Sequence, residues 1–566
     1  MDPFNAGASI PITYVKDGQI FFANINKLQP IEATRNLNGD NINISNKLFN
    51  LITTVAYSSD GKKMFYPDNF NNDTYLFTLY YRDLTKNNTK EGIAIKLDAD
   101  ISGYQISLTG NFVVYIKDSN LYLHNLMERT LIAKNVKSFY FSNNGKTLIY
   151  KLNNGYLYYL RVKGKKDPVL IDTEVTSLAG VKNNDSTIYY LKGSQLFKKV
   201  IGKDSVKLTS NAETIHSITD NGEIYYTKKT SSSLKATDYV IDDMMENDSA
   251  MTEPNAESFK KAQITGTYTY EVIDWEAYYN EYNLYSEKLL RDMLRDQLKD
   301  GIINIGSQTL YYYDGNKEIV ISENVHQVEA SAGSSLVFSS AVASDFNKVK
   351  LSELSSASDV ESSLTSASVS LSYSLVIKNN TFDIEQKNAR SFIFSDNGES
   401  LYFIDQYDSE ESIGKLMKIS IDKAVKSLSE IDSNVSNNIY LHKNNRLLYF
   451  KNYDPATNSS DLYENGALLA ENVAISTISA ISNSNSLIFL SNINPATRLG
   501  SLYLLKGKKL TKISDYVAQA VAYSEKDIVY LYDYDINKAK GELMIYKGVK
   551  AMLIDSDISA IVPLPN

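Results

Sequence analysis

The chain runs to 566 residues, 43% of them hydrophobic and 11% aromatic, which supplies enough apolar surface for packed cores and exceeds one ordinary domain. Its formal charge of −9, with lysines scattered among acidic residues, lacks the basic stripe of a nucleic-acid binder, so nucleic acid is not expected as a partner. The absence of cysteine excludes disulfides, thiolate zinc sites and cysteine nucleophiles together.

Met1 to Ile10 lacks the basic-then-apolar pattern of a signal peptide, and no run reaches the roughly 18 apolar residues that span a bilayer. The opening Met-Asp-Pro-Phe-Asn reads as a vector remnant, so loss of an upstream signal or membrane anchor is expected. Three short strands follow, Ile12 to Val15, Gln19 to Asn24 and Gln29 to Ala33. From there a unit recurs: an apolar strand, a Gly- or Asn-containing turn, a strand ending in Tyr or Phe, a Leu-Tyr strand, and a strand closing on Asn-Val or Asp-Val. The turn and second strand are plainest at Ser58-Ser59-Asp60-Gly61, Ser142-Asn143-Asn144-Gly145 and Ser395-Asp396-Asn397-Gly398, each followed by an apolar run, with weaker copies at Asp220-Asn221-Gly222 and Asn444-Asn445. Third strands show as Leu121-Tyr122, Leu157-Tyr158, Leu196-Phe197, Leu310-Tyr311, Leu462-Tyr463 and Leu502-Tyr503. Fourth strands close near Asn135-Val136, Asn324-Val325, Asn434-Val435 and Asn472-Val473. Such turns supply the positive φ of hairpins, and the alternating runs make half-buried strands that must stack on neighbours.

These repeats resemble the WD40-like propeller repeats of the TolB type, whose signature is similar to Ser-Pro-Asp-Gly-Lys before a short apolar strand. The resemblance implies an all-β propeller of four-stranded antiparallel blades and little about function. Ser59, Asn143 and Asp396 replace the proline, and the Trp-Asp dipeptide of true WD40 blades is absent. About ten or eleven repeats exceed the usual four to eight blades of a ring, so two propellers are preferred, with one oversized ring as the alternative. The orphan strand Ser559 to Leu564 is expected to complete the first blade, joining the two ends of the chain.

The domain plan is therefore blades over 1–227, a helical insertion over 228–301, blades over 302–350, a Ser-rich insertion over 351–371, and blades over 372–566. In the first insertion Tyr278, Tyr282, Tyr285, Leu289, Met293 and Leu294 recur at helical spacing, with Glu287, Lys288, Arg291, Asp292 and Arg295 between them. A short helix is expected to begin at Ser358-Asp359-Val360-Glu361 in the second. Long turns at Asp405 to Gly414, Asn452 to Ser460, Asn492 to Gly500 and Asp533 to Gly541 occupy the same second-to-third-strand position as both insertions, which places every elaboration on one face.

No catalytic constellation stands out. His124, His216, His326 and His442 are isolated, and neither a Gly-x-Ser-x-Gly elbow nor a phosphate loop occurs. Ser395 to Gly398 is similar to a sialidase Asp-box only superficially, without its Trp or an arginine set. Asp533, Asp535, Asn537 and Glu542 alternate as oxygen ligands do in calcium loops, though without the central glycine of an EF-hand, and a solvated acidic hairpin tip is the simpler reading. Asp238, Asp242, Asp243, Glu246 and Asp248 form a second acidic cluster that reads as a solvated face. Of 42 tyrosines, most sit in strands, while Tyr407, Tyr453 and Tyr534, with the single Trp275, are candidate binding contacts. The expectation is a non-enzymatic binding or scaffolding propeller for a protein, peptide or glycan, extracytoplasmic on a Gram-positive bacterium, with a cytoplasmic protein as the alternative. An enzyme such as a glycan hydrolase or lyase, with its site assembled in the central channel, and a module orienting a missing partner domain are the other readings.

Overall fold

The structure, a computed structural model, describes residues 10–35, 37, 55–71, 73–85, 94–163, 167–243, 251–265, 267–340, 348–356, 371–384, 388–421, 426–442, 445–481 and 484–564. It divides into two compact units, one of Met1–Ser210 with Arg390–Asn566 and one of Asn211–Ala389. The fold is all-β, built from four-stranded antiparallel sheets in the manner of propeller blades. Among the described residues the larger unit holds nine such blades and the smaller holds two with an insertion.

Two local features recur through the blades. Ser58, Ser142 and Ser395 open the first turn: each hydroxyl donates to the Asp or Asn two residues on and accepts the N–H five residues on. The glycine of the same turn takes positive φ, as Gly145 does at 69°. Ser107 opens an identical turn that the sequence pattern did not single out, with Phe112 N–H donating to its hydroxyl at 3.2 Å. The second and third strands then set aromatic rings directly opposite one another. Tyr14–Phe21, Tyr66–Tyr80, Tyr115–Tyr122, Tyr150–Tyr158, Tyr190–Phe197, Tyr226–Tyr311, Tyr449–Tyr463 and Phe489–Tyr503 stack with centroids 5.3–6.0 Å apart. Such pairs add about 0.5–1.5 kcal/mol each beyond their burial, and they hold thirteen of the 42 tyrosines. The leucine preceding the third-strand ring, at 121, 157, 196, 310, 462 and 502, is buried in the blade core.

The Asn-Val closures have a backbone cause. Asp100, Asn135, Glu174, Asn211, Asn324, Asn434, Asn472, Tyr516 and Asp557 all adopt φ between 51° and 63°. The residue after each, an Ile, Val or Ala, is buried. A left-handed residue costs least as Asn or Asp, and here it turns the end of one blade into the start of the next. Three strands, Glu318–Ala332, Lys509–Ala522 and Ala551–Ile561, run unbroken through this bend and serve two blades each. The last joins the chain ends: Ala551–Ile561 pairs first with Lys540–Tyr546 and then with Ile12–Lys16, matching Tyr14 with Ile561 and Val15 with Ala560.

Four blade junctions of the larger unit carry the same polar clamp. A Tyr-x-Lys pair on the second strand of one blade grips an Asp on the fourth strand of the blade before it: Tyr115 and Lys117 with Asp98, Tyr190 and Lys192 with Asp172, Tyr449 and Lys451 with Asp432, and, across the chain ends, Tyr14 and Lys16 with Asp555. The tyrosine oxygens lie 2.6–2.8 Å and the lysine nitrogens 2.6–3.1 Å from the carboxylates. Burial opposes ionisation of Asp98, but the bonds from Arg129, Tyr115, the Ala99 N–H and Lys117 prevail and hold its carboxyl down at about 2.

Asn434→Val, which puts a β-branched side chain at positive φ, is expected to lower stability by about 1–2 kcal/mol, whereas Asn434→Gly is tolerated; urea midpoints compare them. Because the folded carboxyl of Asp98 is depressed, its contribution is complete above about pH 4 and is lost as the pH falls toward 2. Asp98→Asn should therefore cost about 2 kcal/mol at pH 7 and flatten the acid limb of a stability-versus-pH curve.

Candidate functional site

The first insertion grows from a blade of the smaller unit by continuing its strands. Ile224–Lys235 and Ile302–Tyr313 pair without a slip from Ile224 opposite Tyr313 to Lys235 opposite Ile302, forming a twelve-residue stem. Beyond it lie a 3₁₀ turn at Ala236–Asp238, a two-stranded ribbon of Lys260–Thr265 and Tyr268–Ile273, and the helix Trp275–Lys299, here α1. Asp274 caps α1 by accepting the Ala277 N–H at 3.3 Å, and Glu276 complements the positive helix end.

The second insertion leaves the next blade at the equivalent place, between Ser335–Ser340 and Ser372–Ile377. The two insertions fold together. Val349–Lys350 pairs in parallel with Val240–Ile241, and Leu351, Leu354 and Val349 pack with Ala236, Leu294 and Leu298 in a small core of their own. Arg291, expected on the polar side of the helix, is instead buried: its guanidinium donates to the carbonyls of Leu351 and Leu354 at 2.7 Å and of Ser352 at 2.8 Å. One side chain that needs no carboxylate thereby gathers the carbonyls of Leu351, Ser352 and Leu354, the first of which also accepts the Leu354 N–H at 3.2 Å. Arg295 grips Asp242 with both arms at 2.7 and 3.0 Å, and Asp243 accepts the Ser352 N–H at 3.0 Å as well as its hydroxyl. Asp243 of the acidic cluster thus ties the two insertions together, while Asp242 anchors the helix within the first. Glu246, Asp248 and the expected helix start at 358–361 lie outside the described residues.

The helix exists where its periodicity placed it, with Leu294 buried as expected, but much of its apolar stripe faces outward and Arg291 inward. Leu290, Arg291, Leu294 and Leu298 face the small core, while Tyr282, Leu289 and Met293 are exposed. Trp275 is also exposed, at the head of an aromatic group in which Trp275, Tyr278, Tyr279 and Tyr282 lie with centroids 5.3–5.9 Å apart.

The other candidates belong to the larger unit. Asn71, Asp408, Asp454, Asn494 and Asp535 each close the same bulged loop, taking a backbone N–H two residues on and, except at Asp454, that of the third residue as well. The residue two before each has φ of 48–57°. Tyr407, Tyr453 and Tyr534 fill one position of this loop in three blades. Tyr453 is exposed and donates to Asn458 at 3.1 Å; Tyr407 is half-buried with the Arg390 guanidinium 3.8 Å over its ring, and Tyr534 is half-buried too. Only Tyr453 is presented as expected: Tyr407 lies under Arg390, and Tyr534 packs against the core around Leu531 and Leu543. Asp533, Asp535, Asn537 and Glu542 line one open cleft of about 650 Å³ with Tyr534. Asp535 spends one oxygen on the N–H groups of Asn537 and Lys538, and among the described residues no three His, Asp or Glu side chains converge as a metal site.

The histidines are scattered. His124 accepts the Leu126 N–H at 3.0 Å, His442 lies 3.3 Å from the Ser486 carbonyl, and His216 is held down to about 4 by burial beside Thr227. His326 is exposed on another strand.

No family model matches the chain, and no curated protein matches it. Among solved structures it is similar to a eukaryotic initiation factor, 11% identical over 78% of this chain and 94% of that one with a TM-score of 0.37. It is also similar to dipeptidyl peptidase 4 of Porphyromonas gingivalis, at 11% identity over 89% and 59% with a TM-score of 0.34, and to tricorn protease, at 10% over 98% and 53% with a TM-score of 0.19. The chain thus spans little more than half the length of either peptidase chain.

Arg291→Met keeps the volume but removes the guanidinium donors from the carbonyls of Leu351, Ser352 and Leu354. It is expected to raise amide exchange across 349–354 at least tenfold while the main thermal transition stays within about 2 °C, because the change is confined to a satellite core.

Proposed function

We propose that the protein is a non-enzymatic binding propeller whose working element is the subdomain made by the two insertions, and that its ligand is a protein, peptide or glycan. One observation carries the reading: two insertions from equivalent positions of consecutive blades converge on a private core, locked by Arg291, and so hold an exposed aromatic helix on a rigid base. A loop lengthened by tolerance alone has no need of a core, and rigid aromatic surfaces bind at low entropic cost. The dispersed histidines and the Asx role of Asp535 favour binding over acid–base chemistry. The Ser-x-Asp-Gly turns support a TolB-type repeat, and the lack of cysteine is compatible with display outside a Gram-positive cell.

The stem permits a clean deletion, since Lys235 and Ile302 face each other and a two-residue Asn-Gly turn can replace 236–301. Peptides selected on the whole protein from a random display library, and hits from a glycan array, are expected to lose at least tenfold in affinity for the deletion protein, whose far-UV circular dichroism stays β-rich. Ligands that hold both proteins equally would refute the working-element reading.

A further inference from the structure

Between Trp275 and Met293 the exposed side of α1 carries Trp275, Tyr279, Tyr282, Ser286, Leu289 and Met293, spaced 4, 3, 4, 3 and 4. That is the 3.5-residue repeat of a coiled-coil seam, in which these six are successive a and d positions, and five of them are large and apolar or aromatic. Trp275, Tyr279, Leu289 and Met293 are 52%, 55%, 51% and 51% exposed and Tyr282 is 36% exposed. The packing against the small core uses the neighbouring stripe of the helix, Leu290, Leu294 and Leu298, which shares only Leu290 with the seam's border, so folding of the subdomain does not account for the seam. A surface helix needs one apolar face; this one has two.

The seam is also charged on one sign. Its border positions over these turns are Glu276, Tyr278, Asn283, Tyr285, Leu290 and Asp292, with Asp296 just beyond Met293 and Glu281 one position further out. Lysine and arginine are absent from the border itself, and Lys288 holds the same outer position as Glu281 one heptad later. Arg291 is buried among carbonyls and Arg295 is engaged by Asp242 and Asp292. A second copy of the chain would set these carboxylates against each other, whereas a lysine- or arginine-bearing helix would meet them with opposite charge and could lay guanidinium groups on the faces of Trp275, Tyr279 and Tyr282.

We propose that this seam receives a cationic amphipathic helix from a protein partner, about five turns or 27 Å long to match Trp275 through Met293. The proposal rests on the working-element reading and narrows its ligand to one chemical class. The test uses the full chain and two labelled synthetic peptides of 21 residues with leucine at a and d, one with lysine and arginine at e and g, the other with glutamate there. Fluorescence anisotropy is expected to show the basic peptide binding at least tenfold more tightly than the acidic one, and more weakly as salt rises. The paired substitutions Tyr282→Ser and Leu289→Ser, both on exposed positions, should cost the basic peptide at least tenfold. Equal binding of the two peptides, or unchanged binding by the doubly substituted protein, overturns the proposal. A wild-type dimer in sedimentation equilibrium that the same substitutions dissolve would assign the seam to self-association and overturn it as well. Library ligands that need residues 236–301 but ignore the seam substitutions would sink this inference while leaving the working-element reading standing.

Discussion

A left-handed residue followed by a buried aliphatic side chain, repeated at blade ends from Asp100-Ile101 to Asp557-Ile558, is the constraint on which the architecture depends. A four-stranded sheet has two apolar faces and cannot bury both alone. The bend delivers the chain from the outer strand of one blade to the inner strand of the next without a loop, and the aliphatic residue plugs the space so opened. Where the bend falls within a continuous strand, as at Asp557, the same geometry lets the C-terminal strand serve the N-terminal blade. That junction is sealed by Asp555 with Tyr14 and Lys16, the clamp that Asp98, Asp172 and Asp432 make between blades adjacent in sequence. The molecule thus treats its chain ends as one more internal joint.

The elaborated loops follow from the same economy. A second-to-third-strand hairpin can lengthen without disturbing the core because its two strands keep satisfying each other's backbone groups as they extend. The bulged loops of the larger unit are short forms of this growth, each closed by an Asx side chain on its own turn. The twelve-residue stem is the long form. At its tip the hydrophobic surface gained is enough for a satellite core only because a second insertion supplies Val349, Leu351 and Leu354, and the contact is made directional by hydrogen bonds from Arg291 to three carbonyls and from Ser352 to Asp243.

Local signals proved most readable where a residue answers its own backbone. Asn before Val, Ser two residues before Asp or Asn, and Leu before Tyr report φ sign, turn closure and strand face, all decided within a few residues. The helix was readable for the same reason, through its period. Its orientation was only partly readable: Leu294 is buried as its place in the apolar stripe implies, yet partners distant in sequence leave Tyr282, Leu289 and Met293 exposed and bury Arg291. Likewise Tyr407 and Tyr534 look like free aromatic contacts until neighbouring strands cover them, Tyr407 under Arg390 and Tyr534 against the core around Leu531 and Leu543.

Read alone, the 566 residues determined the all-β class, the four-stranded repeat, the union of first and last strands and the position of the helical insertion, because periodicity and turn chemistry are local and repetition amplifies them. Tertiary structure decided which acids are clamps, that two insertions share a core, and which side of the helix faces water. These outcomes depend on groups such as Asp555 and Tyr14, or Arg291 and Leu351, that lie far apart along the chain and meet only when blades stack. No local pattern encodes such a meeting, since its energy comes from desolvation and hydrogen bonds that exist only once both partners are in place.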